Sequence, residues 1–256
     1  MRAARPVVAL TLAADGFAGL SELLEAEGCE VRSMPLLRFA PPPDWRSVDG
    51  ALARLAAYHA VALTSPRAAS AVACRAAAAP LGRVTVPVWA TGAATAVALG
   101  SVLGMVRRPE KRFGADAGGD TAAGAALARA MLAAGTRPPV LYFCGDARRD
   151  ELPAGLRAAG LTVDEIVCYR SLLAEPGMAR RAARGASALV VSSPRVAQLL
   201  ARTVDATERP RLVAIGPTTA AAAEVAGWPA DAVAQNVTAA SVADAVRSLL
   251  KLFEAR

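Results

Sequence analysis

Histidine is almost missing from this chain of 256 residues: His59 is the only one. The four cysteines, Cys29, Cys74, Cys144 and Cys168, are scattered and form no C-x-x-C pair. Neither pattern supplies a Cys/His zinc site, and no metal is expected. A Ser-His-Asp triad would have to use His59, which sits among apolar residues and reads as structural. Aromatic residues are only 4% and lysines only two, Lys111 and Lys251. No basic run alternates with aromatics, so a nucleic-acid surface is not supported. No G-x-G-x-x-G or Walker A pattern occurs, so neither a dinucleotide nor a nucleotide triphosphate is expected. No stretch approaches the roughly 18 uncharged apolar residues of a membrane span, so no membrane partner is expected.

Alanine and arginine are abundant instead. The chain is 54% hydrophobic, much of it alanine, which favours helices. Net charge is +7, and all but two of the 29 basic residues are arginine. The planar guanidinium suits carboxylates and phosphates; the same bias also follows from a GC-rich genome, and composition alone leaves both readings open. Isolated thiols fit a reducing cytoplasm. The apolar run after Arg2 and Arg5 is short for an export signal and reads equally as a first strand.

Three motifs occur twice in the same order, about 130 residues apart. Leu24, Gly28 and Val31 match Leu156, Gly160 and Val163. Ser65-Pro66-Arg67 matches Ser193-Pro194-Arg195. Gly92-x-x-Thr95-Ala96 matches Gly216-x-x-Thr219-Ala220. The chain therefore reads as two related halves. Strands are expected at 6–12, 29–37, 60–64, 86–90, 138–144, 161–169, 187–192 and 210–215. Helices are expected at 17–27, 46–57, 66–79, 93–100, 121–134, 150–159, 176–184, 195–203, 217–226 and 239–252. Such alternation predicts an α/β fold with parallel sheets covered by helices. Loops are expected at 40–44, 113–120 and 173–177; the first and third flank a central block, which suggests an inserted domain, 39–172, within a discontinuous one of 1–38 and 173–256.

Ser65 and Ser193 follow apolar strands and precede proline, as helix N-caps do. Helix starts at the carboxyl edge of a parallel sheet attract anions. The glycines of the G-x-x-T-A segments permit close backbone approach, and their threonines offer hydroxyl donors. Tyr169 ends a strand at the crossing between halves. Its phenol has an ordinary pKa of about 10, so it stays protonated and able to donate, or else it simply packs the crossing.

The segments AVALTSPRAASAV (60–72), WATGAATAVAL (89–99), LYFCGDARRDELPAGLRAAGLTVDEIVCYRS (141–171), ALVVSSPRVAQLL (188–200) and LVAIGPTTAAAAEVAG (212–227) together resemble the uroporphyrinogen-III synthase family. The resemblance runs from about residue 6 to residue 250. It implies two α/β domains joined by a two-stranded linker, a substrate cleft, and no metal or cofactor. It also implies the closure of hydroxymethylbilane, a linear tetrapyrrole rich in carboxylates, into a ring whose last pyrrole is inverted. Loss of hydroxide from that substrate gives an azafulvene, which passes through a spiro intermediate. By resemblance, Tyr169 is the tyrosine that assists loss of the hydroxyl. Ser65, Arg67, Thr95, Gly145, Ser193, Arg195, Gly216, Thr218 and Thr219 fall at substrate-binding positions. Two positions depart from the family pattern. Thr11-Leu12-Ala13 stands where Thr-Arg-Pro is common, and Cys144 stands where an arginine often precedes the glycine. A non-catalytic two-lobed sensor of tetrapyrroles or anions is the alternative. A cytoplasmic monomer is expected.

Overall fold

The apolar runs form strands, and nearly all of those strands lie in parallel ladders. The computed structural model describes residues 5–13, 16–78, 84–100, 102–109 and 119–254, with backbone alone at 119–122 and 251–254. The strands in chain order are β1 (Val7–Leu10), β2 (Glu30–Ser33), β3 (Leu37–Ala40), β4 (Ala60–Leu63), β5 (Val88–Ala90), β6 (Val106–Arg107), β7 (Val140–Gly145), β8 (Val163–Leu173), β9 (Ala188–Val191), β10 (Arg211–Ala214) and β11 (Ala232–Val233). The helices are α1 (Leu20–Ala26), α2 (Arg46–Ala53), α3 (Pro66–Ala77), α4 (Ala93–Leu99), α5 (Gly119–Ala133), α6 (Glu151–Ala158), α7 (Pro176–Ala183), α8 (Pro194–Thr203), α9 (Pro217–Val225) and α10 (Ala239–Glu254).

The chain divides into two units. One comprises Met1–Phe39 and Leu172–Arg256, the other Ala40–Ser171. Both boundaries fall inside strands, β3 and β8. The first unit holds a five-stranded sheet in the order β11-β10-β9-β1-β2, with every pairing parallel. The other sheet has the order β3-β8-β7-β4-β5-β6.

Helices cover both faces of each sheet, which is why central strands such as AVAL of β4 and ALVV of β9 are buried at every position. In the second unit, Val61 and Leu63 of β4 and Leu141 and Phe143 of β7 pack on α2, α3 and α4. Their neighbours Ala60, Ala62, Val140, Tyr142 and Cys144 face α5 and α6. In the first unit, Leu189 and Val191 pack on α7, α8 and α9, while Val190 and Val213 face α1 and α10.

Each unit has one place where the strand order reverses. In the second, the chain runs β4, β5, β6 in one direction and then places β7 on the other side of β4. In the first, β1 is followed outward by β2, and the chain later resumes at β9 on the other side of β1. The two units thus share one strand arrangement but enter it at different points. The segment β1-α1-β2 corresponds to β7-α6-β8, and β9-α8-β10 corresponds to β4-α3-β5. The internal sequence matches follow this correspondence.

Several expected elements differ in detail. The strand expected at 29–37 is two strands, because Pro35 has no N–H to continue the ladder. The strand expected to end at Tyr169 runs on to Leu173. The two-residue strands β6 and β11 lie outside the expected set; neither has enough residues to make a pattern. Residues 113–118 of the loop expected at 113–120 lie outside the described residues. His59, read as structural, is exposed at the start of β4. Among the described residues, no helix is long and apolar enough to cross a membrane, and no group of three His, Cys, Asp or Glu side chains is placed to hold a metal ion.

Candidate active site

A pocket of about 290 Å³ opens in the second unit at the carboxyl ends of β4 and β7. This is the point of order reversal, where open α/β sheets bind ligands because two loops leave in opposite directions and part. Thr64, Ser65 and Pro66 approach from the end of β4, Thr91 from the end of β5, and Gly145, Arg148 and Arg149 from the turn after β7. Tyr142, Tyr169 and Glu151, at the start of α6, complete the polar lining.

Ser65 is the N-cap of α3. Its backbone is extended and its Oγ accepts from the N–H groups of Arg67 at 3.2 Å and Ala68 at 3.5 Å. Pro66 takes the first helical position, where its missing N–H costs nothing. Tyr169 donates its hydroxyl to the same Ser65 Oγ at 3.3 Å. The phenol therefore rests against a helix N-terminus, whose partial positive charge favours anions. Burial pushes the Tyr169 phenol above its ordinary pKa; the Ser65 bond and the charge of Arg67 pull the other way without overcoming it. The phenol therefore stays protonated near neutral pH, with its proton available for a hydrogen bond.

The rest of the lining is held by its own bonds. The Tyr142 and Thr64 hydroxyls are 2.7 Å apart, and the Thr91 hydroxyl donates to the Thr64 carbonyl at 3.3 Å. Arg148 pairs with Glu165, which also accepts from Arg157 at 2.7 Å. Hydrogen bonding from Arg148, backed by Arg157, holds the Glu165 carboxyl below its usual range despite the opposing effect of burial. The Cys144 and Cys168 thiols behind the pocket are pushed up to about 12 by burial and are not nucleophiles near neutral pH.

Of the residues singled out in the sequence, Ser65, Gly145 and Tyr169 line this pocket together, and Arg67 is close enough to act on Tyr169 electrostatically. Thr95 is in the same unit but buried in α4, at 3% exposure. A Cβ on Gly92 would meet nothing within 4 Å, so packing does not require glycine there. The remaining five belong to the other unit. Ser193 and Arg195 start α8, at the carboxyl end of β9; unlike Ser65, the Ser193 side chain makes no capping bond. Gly216 precedes α9, Thr218 is exposed and Thr219 is buried. Sequence reasoning misses Thr64, Thr91, Tyr142, Arg148 and Arg149. The signal that finds most of them is topological: Thr64, Arg148 and Arg149 lie just beyond the ends of β4 and β7, which flank the reversal, Thr91 lies just beyond the neighbouring β5, and Tyr142 reaches the pocket from within β7.

The family described as uroporphyrinogen-III synthase HemD matches residues 18–244. No curated protein matches the chain. Among solved structures, a mutant uroporphyrinogen III synthase from the extremely thermophilic bacterium Thermus thermophilus superimposes with a TM-score of 0.65 at 16% identity, over 96% of this chain and 99% of that one. Uroporphyrinogen-III synthetase from Helicobacter pylori gives 0.63 at 16% identity over the same shares.

Proposed function

The chain belongs to the uroporphyrinogen-III synthase family, whose reaction is the cyclisation of hydroxymethylbilane with inversion of the last ring, and we propose that Tyr169 and the start of α3 carry its first step here. The observation that supports this most directly is the Tyr169 hydroxyl, 3.3 Å from the Ser65 Oγ, at the edge of the pocket on the strand-order reversal.

In this reading the substrate hydroxymethyl group enters the pocket beside Tyr169. The phenol donates to the departing hydroxyl, and the bond weakens as the pyrrole nitrogen pushes electrons toward the exocyclic carbon. Arg67 and the N–H groups of α3, acting through Ser65, offset part of the cost that burial places on negative charge at the phenol. These dipoles are in place before the reaction, so the step carries little reorganisation cost. Later steps need the chain held in a folded path so that the reactive carbon meets the last ring at its substituted position; that is a matter of positioning. Arg148 and Arg149 at the pocket rim offer forks for substrate carboxylates. As further substrate contacts we propose the starts of α8 and α9 in the first unit, with Ser193, Arg195, Gly216 and Thr218, and the helix starts that hold Thr95 and Thr219.

No step in this scheme calls for a metal or a cofactor. Four free cysteines support a cytoplasmic location. The test is an assay with freshly made hydroxymethylbilane and separation of the two uroporphyrinogen isomers. Enzyme-dependent type III product is expected. Type I product alone, at the uncatalysed rate, would overturn the proposal.

A further inference from the structure

Tyr169 reaches Ser65 because strand β8 is irregular there. From Val140 to Cys144, β7 pairs residue by residue with Val163 to Val167 of β8; Gly145 then pairs with Tyr169, so Cys168 is skipped. In a regular strand successive side chains point to opposite faces. Here both point toward α3: the Cys168 thiol approaches the Ala68 carbonyl at 3.9 Å, and the Tyr169 hydroxyl meets Ser65. The extra residue is a bulge, a device that re-aims a side chain.

The re-aimed ring lands on Gly145. A Cβ at Gly145 would lie 2.4 Å from Tyr169 Cζ, 2.7 Å from its hydroxyl oxygen and 2.8 Å from Cε2. Real Cβ atoms do not approach so closely, so the ring occupies the space a side chain would need. The next residue grips the bulged strand on both sides of the turn. The Asp146 N–H donates to the Tyr169 carbonyl at 3.1 Å, and Asp146 Oδ1 accepts from the Ser171 N–H at 2.8 Å.

We propose that Gly145 is a positioning residue for Tyr169: its lack of a side chain is the seat on which the bulge sets the phenol against Ser65. The inference rests on the reading of Tyr169 as the proton donor. The family resemblance places Gly145 among substrate contacts, and it lines the pocket; the seat for the tyrosine is a role beyond that one.

Gly145→Ala tests it. The ring must leave its seat, so kcat for type III product falls by about 10-fold or more, toward the loss expected for Tyr169→Phe, while KM changes less. Combining Gly145→Ala with Tyr169→Phe lowers kcat no further than the worse single change, since both remove one hydroxyl from one place. A second readout does not depend on activity. The ultraviolet titration of Tyr169, isolated by subtracting that of Tyr169→Phe, starts above the ordinary value of about 10 and moves toward it in Gly145→Ala as the phenol reaches water. The groups acting on the phenol in this comparison are Ser65, Arg67, Cys144 and Cys168. An unchanged titration or additive rate losses would overturn the seat. An unimpaired Tyr169→Phe would instead overturn the reading of Tyr169, leaving the titration to judge the seat. If Gly145→Ala does not fold, the further change Tyr169→Leu removes the colliding atoms and restores folding; failure to restore it also overturns the proposal.

Discussion

The phenol of Tyr142 and the hydroxyl of Thr64 lie 2.7 Å apart, joining β7 to the loop after β4 at the strand-order reversal. Tyr142 is 1% exposed, and burial pushes its phenol far above the ordinary value, so it stays neutral and hydrogen-bonded. Removing either partner leaves the other without this bond. Tyr142→Phe should lower stability to urea by about 1 kcal/mol, and Thr64→Val by a similar amount. The double variant should lose less than the sum, with a coupling of roughly 0.5 kcal/mol or more. Additive losses would show that the pair is close but not coupled.

The two S-P-R helix starts should respond differently. Ser65 accepts two N–H groups of α3, whereas Ser193 makes no capping bond to α8. Ser65→Ala should cost about 1 kcal/mol, and Ser193→Ala should stay within about 0.5 kcal/mol. Denaturant midpoints of the two variants decide this. Equal losses would mean that Ser193 caps its helix in solution.

Tyr169→Phe should slow formation of uroporphyrinogen III by about 10²-fold, the low end for a positioned acid, because the substrate ionises readily unaided. Stability should change by less than about 1 kcal/mol, since the ring still packs. Some activity should persist, because the remaining groups still fold the substrate. KM should change less than kcat, as the hydroxyl contact strengthens while the bond breaks. In the wild type, the raised phenol pKa means that Tyr169 causes no alkaline loss of rate below about pH 10. Initial rates for both proteins across that range check this, and an unchanged rate would leave Tyr169 a packing residue.

The Glu165 carboxyl is held below its usual range, chiefly by Arg148. A group whose pKa falls on folding stabilises the fold above its unfolded value, near 4.3, and that contribution is lost as pH drops through the lower, folded value. The wild type should therefore lose stability relative to Glu165→Gln as pH falls from about 5 toward 3, and be the more stable of the two at pH 7. Melting temperatures measured across that interval test the sign. A gap that does not vary with pH would show that the ion pairs contribute nothing. Loss of Arg148 orientation at the pocket rim should also raise KM in Glu165→Gln at pH 7.

The helices and most strands were legible because local chemistry sets them. Runs such as AVAL and ALVV are short and bounded by turn residues, which favours buried strands over helices, and the glycines and prolines beside them mark where the chain must turn. Ser65-Pro66 and Ser193-Pro194 announced helix starts for the same local reason. The repeat, read from pairs of short motifs, revealed two related halves but not the permuted order in which each half enters its sheet.

By itself, then, the sequence determined the α/β class, the repeat and the helix starts, which depend on residues near one another in the chain. Only the tertiary structure decided which strands became neighbours, and hence that Thr64, Tyr142, Arg148 and Tyr169 share one pocket. It also decided the bulge at Cys168, which turns Tyr169 toward Ser65. Nothing in VCYRS signals that irregularity, because it arises where a strand must fit a turn, Gly145-Asp146, more than twenty residues earlier in the chain.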